Sequence, residues 1–445
     1  MLLEFRAKNY KSFKDELVFS MTPAPKQKGL DYSVLRQKAG SKNYKALCSA
    51  VIYGPNASGK TNIIGAMDTF KNIVLRGHIR NGHDREQNSP NMAANNLELI
   101  PNNTNQEPLP IEFSIVFVED GIKIEYAFAA DIGGFLKHDY ARKIIFEQLK
   151  VNEKLIFLRN DTLKFDALRS IRNYLSDGFE KNSVSAVSLA KSNLNGEELF
   201  LMNGFKTMFS AKLVSLIAEW LDRKFIVVYS ANLVQLIRKP DDPKKASAYT
   251  EKRLNEAMKR FGVMSNMLAY ISDENEPVMK LYSLLQTPGK KDGVLIPADL
   301  FESYGTLRFI NLFQVVMRII QSGGILAADE FDASIHPMAM MSIINIFHND
   351  EININKAQLI FNTHNPIFMN ANLFRRDELK FTERDDASGS SAHYSLSDFG
   401  TEGAKGVRKN EDYLKNYFVS QYGAIQDIDF SPIFESVPHN RKEVQ

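Results

Sequence analysis

Cysteine is almost absent from this 445-residue chain: only Cys48 is present. One cysteine excludes an intrachain disulfide and a cysteine-based metal cluster, so Cys48 is expected to fill core space just before a strand. An excess of one charge is also lacking. Lys and Arg number 55 against 53 Asp and Glu, a net charge of +2. The chain as a whole is therefore not a strongly basic nucleic-acid binder, although a local basic groove stays open. No apolar run approaches the ~20 residues that span a bilayer. The opening Met1-Leu2-Leu3-Glu4-Phe5-Arg6 carries charges where a signal peptide needs an uninterrupted apolar stretch. These absences predict a cytoplasmic protein with no membrane contact. Sustained heptads and internal repeats are missing too, which excludes a long coiled coil or a repeat array. What is present is the balance of a globular protein, 44% hydrophobic and 24% charged. The length allows two or three domain-sized units.

Two separated motifs carry the chemistry. Gly54-Pro55-Asn56-Ala57-Ser58-Gly59-Lys60-Thr61 fits G-x-x-x-x-G-K-[ST]. Its glycines let the backbone wrap phosphate oxygens, Lys60 reaches the β- and γ-phosphates, and Thr61 offers a hydroxyl to Mg²⁺. Ala46 to Tyr53 reads as a strand entering the loop, and Asn62 to Leu75 has helical spacing leaving it. Strand, loop and helix together are the context this motif requires, with the helix dipole aimed at the anion. Far downstream, Gly324-Ile325-Leu326-Ala327-Ala328-Asp329-Glu330 is an apolar run ending in two carboxylates. As a buried parallel strand it places both acids at its carboxyl end, where open α/β sheets bind ligands. Asp329 then holds Mg²⁺ and Glu330 polarises the attacking water. A plain acid pair capping the next helix is the alternative.

Two weaker motifs gain value from these neighbours. Glu302-Ser303-Tyr304-Gly305-Thr306 opens an amphipathic helix, and Ser303, Gly305 and Thr306 form a turn suited to phosphate. An ordinary helix cap explains the same residues. Leu359 to Asn362 reads as a strand ending in Thr363-His364, where the imidazole can contact the γ-phosphate. The expected fold is α/β, with a mixed sheet around the phosphate loop. Residues 1–160 and 291–445 supply the two parts of the ATPase unit, and 161–290 a largely helical insertion. Helical periodicity is read over Leu199 to Leu221 and Thr250 to Leu285, with a strand at Lys224 to Tyr229 between them. Residues 81–110 read as a polar loop. Ile111 to Val118 and Ile122 to Ile132 form a hairpin across Glu119-Asp120-Gly121. His78, His83 and Asp84 lack a third ligand nearby and read as exposed side chains. Asp427 and Asp429 read as surface decoration.

The order of the four motifs resembles the ATP-binding cassette head of the RecF, SMC and OLD ATPases. Asn9-Tyr10-Lys11-Ser12-Phe13, the extension of the loop through Asn62, and Phe331-Asp332-Ala333-Ser334-Ile335-His336-Pro337 look like that branch. Arg375 to Glu383, Tyr394 to Phe399 and Tyr417 to Ala424 are similar to RloA-like bacterial ATPases, a group that includes the ATPase of the PARIS phage-defence system. The resemblance covers both ends of the chain and only loosely the stretch from about 160 to 290. It implies ATP and Mg²⁺ as cofactors and a homodimer or larger homo-oligomer. In such heads the Ser303–Thr306 turn of one subunit closes over ATP held by the other. It also implies a separate effector protein, a nuclease or toxin, because no OLD-type nuclease segment is visible and fewer than ~100 residues follow His364, short for an added domain. The turn reads Ser-Tyr-Gly-Thr rather than Ser-Gly-Gly, and the Mg²⁺-sensing glutamine has Gln148 as its candidate. A RecF-like ATPase that binds DNA in repair is the alternative function.

Overall fold

The computed structural model describes residues 1–80, 99–134, 140–229, 238–286, 293–400, 406–408 and 411–435, apart from positions 26, 28, 264, 266 and 427. Its central sheet has six strands in the order β11 (Phe225–Val228), β16 (Ile325–Ala328), β17 (Gln358–Asn362), β5 (Ser49–Tyr53), β18 (Leu379–Arg384) and β19 (Ser391–Ser395). The first five run parallel and β19 returns antiparallel. Every residue of β5, β16 and β17 is buried. Burial on both faces explains their unbroken apolar sequences, because no side faces water. Alternate residues feed two cores: Ala50 and Ile52 face one, Val51 and Tyr53 the other.

The first core lies under a seven-stranded sheet in the order β10 (Leu163–Phe165), β9 (Lys154–Arg159), β8 (Lys143–Val151), β7 (Ile122–Asp131), β6 (Ile111–Glu119), β1 (Leu2–Lys8) and β2 (Leu17–Ser20), antiparallel throughout. Helix α1 (Lys60–Arg76) is packed between the two sheets. Its Phe70 stacks on Phe128 at 5.7 Å and meets Phe5 edge-on at 5.8 Å. The phosphate-loop helix is thus held by aromatic contacts on the sheet that the N-terminal strands build. A short hairpin of β3 (Val34–Ala39) and β4 (Lys42–Leu47) leads into β5. On the other face of the central sheet lie α5 (Tyr304–Ser322) and α6 (Pro337–Phe347). Phe309, Leu312, Val316 and Ile319 of α5 are buried at three- and four-residue spacing, one apolar stripe.

The segment 161–290 departs from the expectation of a largely helical insertion. It does contain α2 (Phe179–Ser192), α3 (Ala211–Glu219) and π-helical turns at Leu201–Phe205 and Trp220–Lys224. These helices join the first core, where Trp220 stacks on Phe117 with ring centroids 3.8 Å apart. But β11 belongs to the central sheet, paired with β16. The helical reading of Thr250 to Leu285 holds only for α4 (Lys252–Phe261), which stops at Gly262 with φ 90°. Before it β12 (Ser247–Tyr249), and beyond it β13 (Met267–Ser272), β14 (Lys280–Gln286) and β15 (Gly293–Pro297), form one antiparallel sheet. The Asn255 side chain on α4 bonds both the N–H and the C=O of Leu268, fixing helix to strand. Apolar residues of adjacent short strands can imitate helical spacing when no partner strand is known.

His83, Asp84 and Asp427 lie outside the described residues. His78 bridges to Glu198 as an isolated backbone pair, and burial lowers its pKa, helped by Arg80 and Arg76. Gln148 sits in mid-strand β8, opposite Ala127 and Leu158. No contact joins it to the phosphate loop among the described residues, because register fixes it within the antiparallel sheet.

Candidate nucleotide site

The site forms at the carboxyl ends of β5, β16 and β17. Residues 54–59 curl from Tyr53 to the first turn of α1, with Ala57 at φ 61° and Gly59, the helix cap, at φ 109°. The two glycines of the motif are required by close contacts. A Cβ on Gly54 would stand 2.3 Å from the carbonyl oxygen of Thr382. A Cβ on Gly59 would stand 2.8 Å from both Ser12 Oγ and Ser391 Oγ. The loop is therefore clasped from outside. Ser58 Oγ lies 2.8 Å from Thr382 Oγ1, and Asn62 Nδ2 donates to Ser12 Oγ at 2.7 Å. These clasps explain structurally why Asn9 to Phe13 and the β18–β19 hairpin accompany the loop. Pro55 is half-buried, and Asn56 and Ala57 are exposed at the tip.

Lys60 is buried, and its Nζ donates to the carbonyls of Gly54 and Pro55 at 2.8 Å each. Burial lowers its pKa to about 8, with Asp329 and Glu330 pulling the other way. The ammonium thus lies inside the loop, held by carbonyl oxygens that phosphate oxygens can replace. Thr61 Oγ1 donates to Asp329 Oδ1 at 3.0 Å, bringing together two residues 268 positions apart. The Asp329 backbone is fixed by its N–H bond to Val228 O at 2.9 Å, and burial raises its carboxyl pKa. Hydroxyl plus carboxylate is a hard-oxygen donor pair, which fits Mg²⁺. Glu330 is exposed and adopts φ 47°. A left-handed backbone at a non-glycine residue persists only when its surroundings hold it. Here Asn362 accepts from the Glu330 N–H and Arg308 donates to its C=O.

His364 follows β17. Desolvation lowers its pKa first and Lys60 second, while Glu330, Asp332 and Asp329 oppose them. The imidazole is electrostatically part of the same cluster. The turn at Ser303 is a genuine helix cap: Ser303 Oγ accepts from Thr306 N at 3.2 Å and lies 2.9 Å from Thr306 Oγ1. Ser303 itself is exposed. Within the chain this turn touches the Phe331–Pro337 loop, where a Cβ on Gly305 would meet Ser334 O at 2.3 Å. The structure therefore gathers Lys60, Thr61, Asp329, Glu330 and His364 in one place. It brings Ser303, Gly305 and Thr306 to the neighbouring loop rather than to the phosphate loop. His336 and Pro337, noted as a motif, act as cap and first residue of α6, with His336 Nδ1 accepting from Met338 N at 3.2 Å.

Sequence reasoning gave no role to Ser12, Arg308, Asn362 or Ser391. Ser12, Arg308 and Asn362 lay within the segments that carry the motifs, as neighbours of the residues given roles. Cys48 is buried as expected, but it is more than filling. At the amino end of the central sheet Ser49 Oγ donates to Glu378 Oε1 at 2.6 Å and lies 2.8 Å from His348 Nε2, with Cys48 Sγ 3.9 Å from the same carboxylate oxygen. The knot is hydrogen-bonded through Ser49, and burial raises the thiol pKa well above its ordinary value.

A family model described as AAA domain, putative AbiEii toxin, Type IV TA system matches residues 49–370. The match runs from the first residue of β5 to just past His364, well over half of the chain. No curated protein matches the sequence.

Proposed function

This chain belongs to that family of AAA domains, a P-loop ATPase family, and on that premise we propose that it hydrolyses ATP and controls a separate effector protein in anti-phage defence. The observation that carries the ATPase reading is the 3.0 Å bond between Thr61 and Asp329, with Lys60 and Glu330 adjoining it. Nucleotide use, and ordinarily Mg²⁺ use, follow from the family. Thr61 and Asp329 are the residues that would hold Mg²⁺, whose charge offsets that of the phosphates.

The chain's own groups account for the remaining chemistry. Lys60 and the first N–H groups of α1 bind the phosphates. Glu330, exposed beside the site, accepts the proton of the attacking water. His364, whose pKa burial lowers in the nucleotide-free chain, offers a ring N–H to a γ-phosphate oxygen. The exposed Ser303 turn is suited to ATP on a second copy, so the working unit is a head-to-head homodimer or larger homo-oligomer. The match to a model named for a putative toxin and a type IV toxin–antitoxin system supports a defence setting, and the tail residues Arg375 to Glu383 support the RloA-like branch. No helix among the described residues is long and apolar enough to cross a membrane, in keeping with action in the cytoplasm. The deciding experiment is Glu330→Gln: nucleotide binding should persist while steady-state turnover falls by about a hundredfold or more. Turnover equal to the parent's would refute the role of Glu330.

A further inference from the structure

Both acids of the site depend on one buried amide. Asn362 is the last residue of β17 and is 1% exposed. Its Nδ2 donates to Asp329 Oδ1, and its Oδ1 accepts the backbone N–H of Glu330. The orientation of the amide is fixed by its partners, since a carboxylate only accepts and an N–H only donates. We infer that Asn362 is a positioning residue that sets the Mg²⁺-facing carboxylate of Asp329 and the backbone of Glu330 together.

Three features support this inference, which rests on the ATPase reading above. First, Asn362 and Thr61 both donate to the same oxygen, Asp329 Oδ1, so two donors from different elements fix the plane of one carboxylate. Second, Glu330 holds the left-handed φ of 47°, and its N–H is held by Asn362 while its C=O accepts from Arg308 and from the Ala333 N–H at 3.1 Å. Third, the next residue extends the same arrangement: Thr363 Oγ1 donates to Asp332 Oδ2 at 2.8 Å and accepts from Asn365 N at 2.8 Å. The end of β17 therefore holds Asp329, Glu330 and Asp332 in turn and then presents His364. An apolar residue at 362 takes away one of the two donors to Asp329 Oδ1 and leaves the Glu330 N–H without its acceptor, while a side chain of similar shape keeps the packing.

The test compares Asn362→Leu, which keeps bulk and removes the amide, with Asn362→Ser, which keeps one hydroxyl. Binding of a fluorescent ATP analogue is measured in EDTA and across a Mg²⁺ titration, with melting temperature as the folding control. In EDTA the affinity of both variants should stay within about twofold of the parent, because Lys60 and the loop are intact. The Mg²⁺ concentration giving half the Mg²⁺-dependent change should rise about tenfold or more in Asn362→Leu and less in Asn362→Ser, with turnover falling in the same order. A folded Asn362→Leu protein with the parent's Mg²⁺ dependence and turnover would overturn the inference. If Asn362→Leu does not fold, the Asn362→Ser titration decides. If the parent itself fails to hydrolyse ATP, the ATPase reading falls, while the Mg²⁺ dependence of nucleotide binding still tests Asn362.

Discussion

Nucleotide affinity should fall as pH rises past the pKa of Lys60. Burial holds this lysine at about 8 rather than the ordinary 10.5. Only the cation attracts phosphate, and a bound phosphate restores the proton, so binding is linked to protonation. In the free protein about nine-tenths of Lys60 is cationic at pH 7 and about one-tenth at pH 9. The apparent affinity should therefore weaken about tenfold between those values, each further pH unit costing about 1.4 kcal/mol. At pH 8 each nucleotide should take up about half a proton. Isothermal calorimetry in buffers of different ionisation enthalpy measures both quantities with a non-hydrolysable ATP analogue, after the proton exchange of the analogue's own terminal phosphate is measured separately and subtracted. Lys60→Ala supplies the control, since its weak residual binding should lack this slope. The same shift has a consequence for folding. The folded chain binds fewer protons than the unfolded chain between pH 8 and 10.5, so the contribution of Lys60 to stability rises with pH through that window. An affinity constant within twofold from pH 7 to 9, or an equal slope in Lys60→Ala, would refute the reasoning.

Other outcomes follow from the same geometry. Gly305→Ala should destabilise the protein by about 1–3 kcal/mol in a denaturant melt, because its Cβ would stand 2.3 Å from Ser334 O and one of the two backbones must shift. If Ser303 acts across a dimer, mixing Lys60→Ala with Ser303→Arg subunits should restore one composite site per pair and about a quarter to a half of parental turnover. Mixed dimers without any recovery would count against the head-to-head arrangement. Co-expression with the neighbouring gene should yield a complex that protects against phage and loses protection with Glu330→Gln. Purified protein should not cleave DNA or RNA with Mg²⁺ or Mn²⁺, and cleavage that survives Lys60→Ala would mean the chain carries its own effector activity.

The nucleotide chemistry was legible because it is local. Gly54 to Thr61 are consecutive, and a strand before and a helix after can be read from spacing alone. Asp329 and Glu330 announced themselves by ending an apolar run, since a strand buried on both faces has no polar residue to interrupt it. What the chain could not state by itself was everything that depends on register between distant strands. Asn362 looks like any polar strand end until β16 lies beside β17 and turns its amide onto two acids. Ser391 and Thr382 clasp the phosphate loop only because β18 lies beside β5 and β19 beside β18. The segment Thr250 to Leu285 carries apolar residues that suit a helix or short strands equally. The pairing of β13 with β12 and β14 decided it, an energy that exists only between segments. Sequence alone determined the loop, the acids and the elements that carry them; tertiary structure decided which side chains hold those acids in place, because hydrogen bonds across a sheet follow strand order rather than chain order.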